Sequence, residues 1–152
     1  MAIRTIVQQG DPVLNKKCRP VTDFDQRLWQ LLDDMAETLQ KAGGVGLAAP
    51  QVGILRRLFI MDIDGKYYEA INPEIVETKG IQEETEGCLS CPGQWGVTCR
   101  PNRVKMKAQD RTGKWYFLSG TDLLARCICH ENDHLDGVLF TQRVIRMLEN
   151  KG

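Results

Sequence analysis

The chain has almost no histidine: His130 and His134 are the only two in 152 residues. It has no net charge, with 20 basic and 20 acidic residues, which removes the electrostatic case for nucleic acid as a partner. No apolar run approaches the roughly 20 residues that a membrane-spanning helix needs, so no membrane is expected. The opening segment MAIRTIVQQGDPVLNKK lacks the apolar block and small-residue cleavage site of a secretory signal. Nor is it the Arg- and Ser-rich, acid-poor pattern of a transit peptide. Without an export signal, the six cysteines are expected as reduced thiols of a cytoplasmic protein rather than as a disulfide framework. No repeat or low-complexity linker divides the chain. Its length suits one domain, residues 1–152, able to bury a core.

What is present reads as mixed helix and strand. DFDQRLWQLLDDMAETLQKAGG carries Phe24, Leu28, Leu31, Leu32, Met35 and Leu39 at helical spacing, with glycines to end it. DPVLNKKCRPV reads as an extended, turn-rich segment, and GGVGLAAPQVG as a small-residue loop. RRLFIMDI and YYEAINPEIVE read as strands, and RVKMKAQDRTGKWYFLSG as a hairpin turned by Asp-Arg-Thr-Gly. TDLLARCICHENDHLDG reads as a helix with Thr121 or Asp122 near its N-cap and Gly137 past its end. Strands first and this helix late predict an α+β fold, with the helix packed on antiparallel sheet.

That late helix carries the chemistry. His130-Glu131-Asn132-Asp133-His134 is an H-E-x-x-H, and positions i and i+4 share a helix face, so both imidazoles could hold one metal ion. A third ligand is needed. One longer zinc motif places a histidine six residues after the second, but Phe140 stands there although Gly137 fits. A glutamate from a later helix would have to be Glu149, with too little chain for such a helix. Cysteine thiolate remains, and spacing alone does not choose among Cys18, Cys88, Cys91, Cys99, Cys127 and Cys129. Two histidines, one cysteine and a water would make an open, catalytic site; Cys88, Cys91 and Cys127 or Cys129 with one histidine would make a closed, structural one.

Three segments in order, GVGLAAPQ (44–51), EGCLS (86–90) and HENDHLDG (130–137), resemble the signature motifs of the peptide deformylases, and the resemblance covers roughly residues 5 to 145. It implies an α+β fold of antiparallel sheets around the H-E-x-x-H helix. The implied activity is hydrolysis of the formyl group from the N-terminal formylmethionine of new polypeptides. Cys88, His130 and His134 are the implied metal ligands. Ferrous iron is the implied ion, with zinc, nickel and cobalt as substitutes. Glu131 would take the proton of the attacking water and pass it to the amine. The side-chain amide of Gln51 and the backbone N–H of Leu89 would hold the oxyanion. Gly44, Val45 and Gly46 would line the substrate's side. Leu123 and Cys127, on the same helix face as His130 and His134, are plausible walls of a methionine pocket.

Each of these residues also has a plainer reading. H-E-x-x-H occurs on ordinary surface helices, Gly44 to Ala49 could only cap a helix, and Leu123 and Cys127 could serve packing alone. Cys88 and Cys91 form a C-x-x-C, but a redox pair usually opens a helix after a strand, and CLSCPGQWG reads as a loop; Cys91 is expected as a small apolar filler. Two positions depart from the family. Cys129 stands where a glutamine is common, and it is a candidate to pair with an oxidised Cys88. Trp95 replaces a residue that is often basic and in reach of substrate. Some relatives dock on the ribosome through a longer C-terminal helix; the tail RVIRMLENKG is short and mildly basic, so any ribosome contact is expected to be transient.

Overall fold

The structure, a computed structural model, describes residues 2–149. Helix α1 spans Gln26–Ala42. The Asp25 carboxylate accepts the Leu28 N–H at 3.1 Å, and Gly43 at φ 73° ends the helix in the left-handed conformation. Its buried residues Leu28, Leu31, Leu32, Met35 and Leu39 are the helical stripe read from the sequence.

Eight strands follow in two antiparallel sheets. One sheet has the order β1-β2-β3-β6-β7, from Gly46–Ala48, Leu58–Ile63, Lys66–Lys79, Arg103–Gln109 and Trp115–Thr121. The other has the order β4-β5-β8, from Gln82–Cys88, Cys91–Arg100 and Val144–Met147. Asp64 and Gly65, at φ 53° and 78°, turn β2 into β3 through two residues whose positive φ suits the sheet's twist. Helix α2, Asp122–Leu135, starts after Thr121, whose side chain makes no cap bond. It packs against β1, β2, β6 and β7.

Strand β2 explains why the larger sheet lies between the two helices. Its alternate residues Phe59, Met61 and Ile63 join the core under α2, while Leu58 and Ile60 join the core under α1. Side chains of a strand alternate between faces, so an unbroken apolar run implies burial on both. A third, smaller core of Leu14, Cys91, Leu139 and Phe140 sits at the smaller sheet.

The α+β fold is as the sequence predicts, with two local corrections. Gly46–Ala48 is a strand paired with β2 rather than loop, because all three residues are buried and their backbone groups need partners. CLSCPGQWG is no loop either: Cys91 opens β5, and Leu89-Ser90 form a tight turn from β4. Val144–Met147, which the sequence left unassigned, adds a strand to β5. No helix among the described residues is long and apolar enough to cross a membrane.

Candidate active site

Helix α2 presents His130 and His134 one turn apart, with ring centroids 5.1 Å from each other. The end of β4 brings Cys88 to them. Among the described residues, Cys88, His130 and His134 form a group whose ligand atoms all lie within 4.8 Å of one another. The Cys88 Sγ stands 3.4 Å from the His134 Nε2. Tetrahedral bonds of zinc-like length to sulfur and nitrogen place such donors about 3.3–3.6 Å apart, so soft thiolate and imidazole at this spacing fit a divalent transition metal. Cys91 and Cys129 do not join this group, so the closed cysteine-rich set is not assembled.

The candidate donors are held from behind. The His130 Nδ1 lies 2.9 Å from the Glu86 Oε1. That contact fixes the ring and leaves Nε2 for the centre. Arg100 binds Glu86 through two nitrogens, at 3.0 and 3.1 Å, and reaches Asp133 at 2.7 Å. The Thr98 hydroxyl donates to the same Glu86 carboxylate. Burial pushes Glu86 up, but the hydrogen bonds from His130 and Arg100 outweigh it and bring the carboxyl down to about 2. On His130 burial favours the neutral ring, and the Glu86 carboxylate overcomes it and raises the imidazole. Burial drives His134 well below its ordinary value, so that ring is neutral and has a lone pair to give. Phe140, where the longer zinc motif has its histidine, stacks on the His130 ring at 6.0 Å.

In front of the ligands lies a cavity of about 510 Å³. Gly44, Val45 and Gly46 line one side of it, and Leu123 and Cys127 line another. Gln51, Cys88, Leu89, His130 and Glu131 also reach its wall; His134 is fully buried behind them. Glu131 is buried, its Oε1 has no protein partner, and burial pushes its carboxyl up to about 7. An unpaired buried carboxyl with that value in a cleft is the signature of a proton-transfer group. Gly46 has to be glycine for it: a Cβ there would stand 2.5 Å from the Glu131 Oε2 and 2.8 Å from the Cys127 Sγ. Gly44 is pressed in the same way against Leu89.

Gln51 is fixed at both ends. Its Oε1 accepts the Ala48 N–H at 2.9 Å, and its Nε2 donates to the Ser90 Oγ at 3.1 Å beside the Cys88 Sγ at 3.5 Å. Trp95 lies at the rim, half-exposed, with its ring on Gly87, where a Cβ would come within 2.5 Å of it.

Glu86, Arg100, Asp133, Thr98 and Ser90 are absent from the site as read from the sequence. Glu86 and Asp133 stood inside the quoted motifs. Glu86 also lies two residues before Cys88 on β4, but the register shift between them breaks the alternation of faces, so that spacing alone does not join them. Nothing in the sequence marks Arg100 or Thr98, whose parts depend on β4 and β5 pairing.

The polypeptide deformylase family matches residues 3–150 of the chain. A peptide deformylase from Caldanaerobacter subterraneus is 53% identical over 151 residues, which is 99% of this chain and 95% of that protein. The crystal structure of peptide deformylase from Thermotoga maritima superposes with a TM-score of 0.94 at 41% identity, covering 96% of this chain and 100% of that one. A class I type b peptide deformylase from Acinetobacter baumannii, solved with Met-Ala-Ser bound, superposes with a TM-score of 0.91 at 31% identity, covering 94% and 99%. With a match along nearly its whole length, this chain belongs to the peptide deformylase family.

Proposed function

We propose that residues 1–152 form one catalytic domain that hydrolyses the formyl amide of N-formylmethionyl polypeptides newly made in the cytoplasm, releasing formate. The observation that carries this reading is the convergence on one cavity of three metal-type donors and an unpaired, buried Glu131. Cys88, His130 and His134 are the ligands. A divalent cation held there supplies Lewis acidity and makes a water acidic enough to attack at neutral pH. Ferrous iron is the ion proposed, on the family resemblance, with zinc, nickel and cobalt as substitutes that the same donors accept.

The chain's own groups do the rest. A Glu131 carboxylate oxygen takes the proton of the attacking water and delivers it to the departing amine nitrogen. The Gln51 Nε2–H and the Leu89 backbone N–H donate to the oxyanion that forms on the formyl carbon. The Ala48 N–H on the Gln51 Oε1 aims that amide in advance, so little reorganisation is needed. Gly44, Val45 and Gly46 let the substrate backbone come close. Leu123 and Cys127 wall the apolar space for the methionine side chain. The relative solved with Met-Ala-Ser supports a short peptide as the occupant. Any ribosome contact is transient.

The test is formate release from formyl-Met-Ala-Ser, with acetyl-Met-Ala-Ser and an internal-cleavage substrate alongside. Formate release with neither control turned over is expected; cleavage of an internal bond without formate would overturn the reading. The iron assignment has its own check. Anaerobically prepared iron protein should be the most active form and decay in air, with the nickel or cobalt form stable and the zinc form slower.

A further inference from the structure

Cys91 has no part in the proposed reaction, yet it faces a metal ligand. Cys88 and Cys91 stand directly opposite each other across the β4–β5 ladder, with the Leu89-Ser90 turn between them. Paired residues in an antiparallel ladder have Cα atoms about 4.5–5.5 Å apart, inside the roughly 4.4–6.8 Å that a disulfide spans. Side chains of a directly opposed pair lie on the same face of the sheet, so the two thiols are neighbours. Both line the cavity, but Cys88 is partly open while Cys91 is buried to 1% exposure. A small oxidant in the cavity therefore meets Cys88 first.

The other thiols are placed elsewhere. Cys18 and Cys129 pack in the core under α2, Cys127 lies behind Gly46, and Cys99 is exposed on β5. Cys129 is buried in that core and does not join the group of donor atoms around Cys88. The pairing with Cys129 anticipated from the sequence is thus replaced by one with Cys91. The C-x-x-C lies across a hairpin and not at the start of a helix.

We propose that Cys91 is the resolving thiol of Cys88, making the ligand site a reversible peroxide-sensitive site. The inference rests on the reading of Cys88 as a metal ligand. In the first step the Cys88 thiolate attacks one oxygen of hydrogen peroxide. The S–O bond forms, the O–O bond breaks, and hydroxide leaves to become water. Sulfur loses two electrons to the peroxide and is left as a sulfenic acid. In the second step the Cys91 sulfur attacks the Cys88 sulfur. The S–S bond forms, the S–O bond breaks, and the leaving hydroxide takes the Cys91 proton as water. The sum is one thiolate, one thiol, one peroxide and one proton from solvent giving one disulfide and two waters. Disulfide formation removes the thiolate charge from the ligand set, so the metal is released. It also stops Cys88 short of the sulfinic acid, from which a thiol does not recover. A dithiol reverses it by exchange through a mixed disulfide.

The experiment uses zinc-loaded full-length protein, whose metal takes no part in electron transfer, with Cys91→Ala and Cys91→Ser beside the wild type. Each is treated with hydrogen peroxide, remaining thiols are alkylated, and the tryptic peptide Gly80–Arg103, uncut at the Arg100–Pro101 bond, is weighed and fragmented while zinc release is followed. In wild type the peptide should lose two hydrogens with Cys99 still alkylated, zinc should leave, and dithiothreitol followed by zinc should restore full metal content. In both variants Cys88 should gain two or three oxygens, and dithiothreitol should not restore zinc. Wild-type Cys88 reaching the sulfinic acid with Cys91 still reduced would overturn the proposal, as would variants that recover zinc as fully as wild type. These readouts stand even if no formate is ever released, so failure of the proposed function and failure of the thiol pair remain separable.

Discussion

The two sheets of this enzyme are built on opposite principles. In the five-stranded sheet, β6 points Val104, Met106 and Ala108 inward and Arg103, Lys105 and Lys107 outward or toward its edges. In the three-stranded sheet, the buried positions include Glu86, Thr98 and Arg100. The first buries apolar area, worth about 25 cal/mol per Å² removed from water. The second buries charge, which is tolerated only because the carboxylate, the guanidinium and the His130 ring complete one another's hydrogen bonds. The difference separates tasks: one sheet holds the fold, and the other aims a ligand.

That separation can be broken by mutation. The largest effect is expected from Met106→Ala in the apolar sheet. The residue is fully buried, so about 2–5 kcal/mol of stability should be lost, read by denaturant unfolding, with metal affinity unchanged. A fall in metal affinity without loss of stability would show that the sheets are not separate in this way. Next is Gln51→Ala, at the junction between the two sheets. Removing one oxyanion donor should lower kcat by about 10²–10³; a change confined to KM would make Gln51 a binding residue instead. Then comes Glu86→Gln in the polar sheet. Losing the carboxylate behind a metal-ligating histidine should weaken metal binding about 10–100-fold, as measured by competition with a chelator. Unchanged affinity would detach the polar network from the ligand. The same residue predicts an acid limb. Its folded value is depressed to about 2, so its contribution to stability is present above the ordinary carboxyl range and is lost as pH falls toward that value. Glu86→Gln should lack that limb. The smallest effect is expected from Lys107→Ala, whose ammonium sits 4.5 Å over the exposed Trp115 ring; it should cost no more than about 1 kcal/mol and leave kinetics alone.

The same contrast governs what the sequence could reveal. Helix α1 and the β6–β7 hairpin were legible because their buried positions are apolar at period 3.6 or 2, and β2 and β3 because aromatic and β-branched residues cluster in them. Strand β5 was not, since its inward residues include Thr98 and Arg100 and the pattern reads as loop. Strand β1 was hidden by small residues that carry no periodicity. In the site, the H-E-x-x-H spacing put His130 and His134 on one helix face, but the cysteine came from family resemblance, because the distance between Cys88 and that helix is set by tertiary packing. Glu86 and Arg100 escaped for the same reason: a buried ion pair looks in sequence like two surface residues. Trp95 was read as a departure from a basic contact, and its packing on Gly87 is visible only once β4 and β5 are paired.

The central claim is that three ligands hold the metal while Glu131, which is not one of them, moves the proton. It is tested most directly by measuring metal content and formate release together in wild type and Glu131→Gln. The account predicts the same metal content in both proteins, with formate release in the variant lower by about 10²–10⁴. Wild-type turnover by a fully metallated Glu131→Gln protein would contradict it.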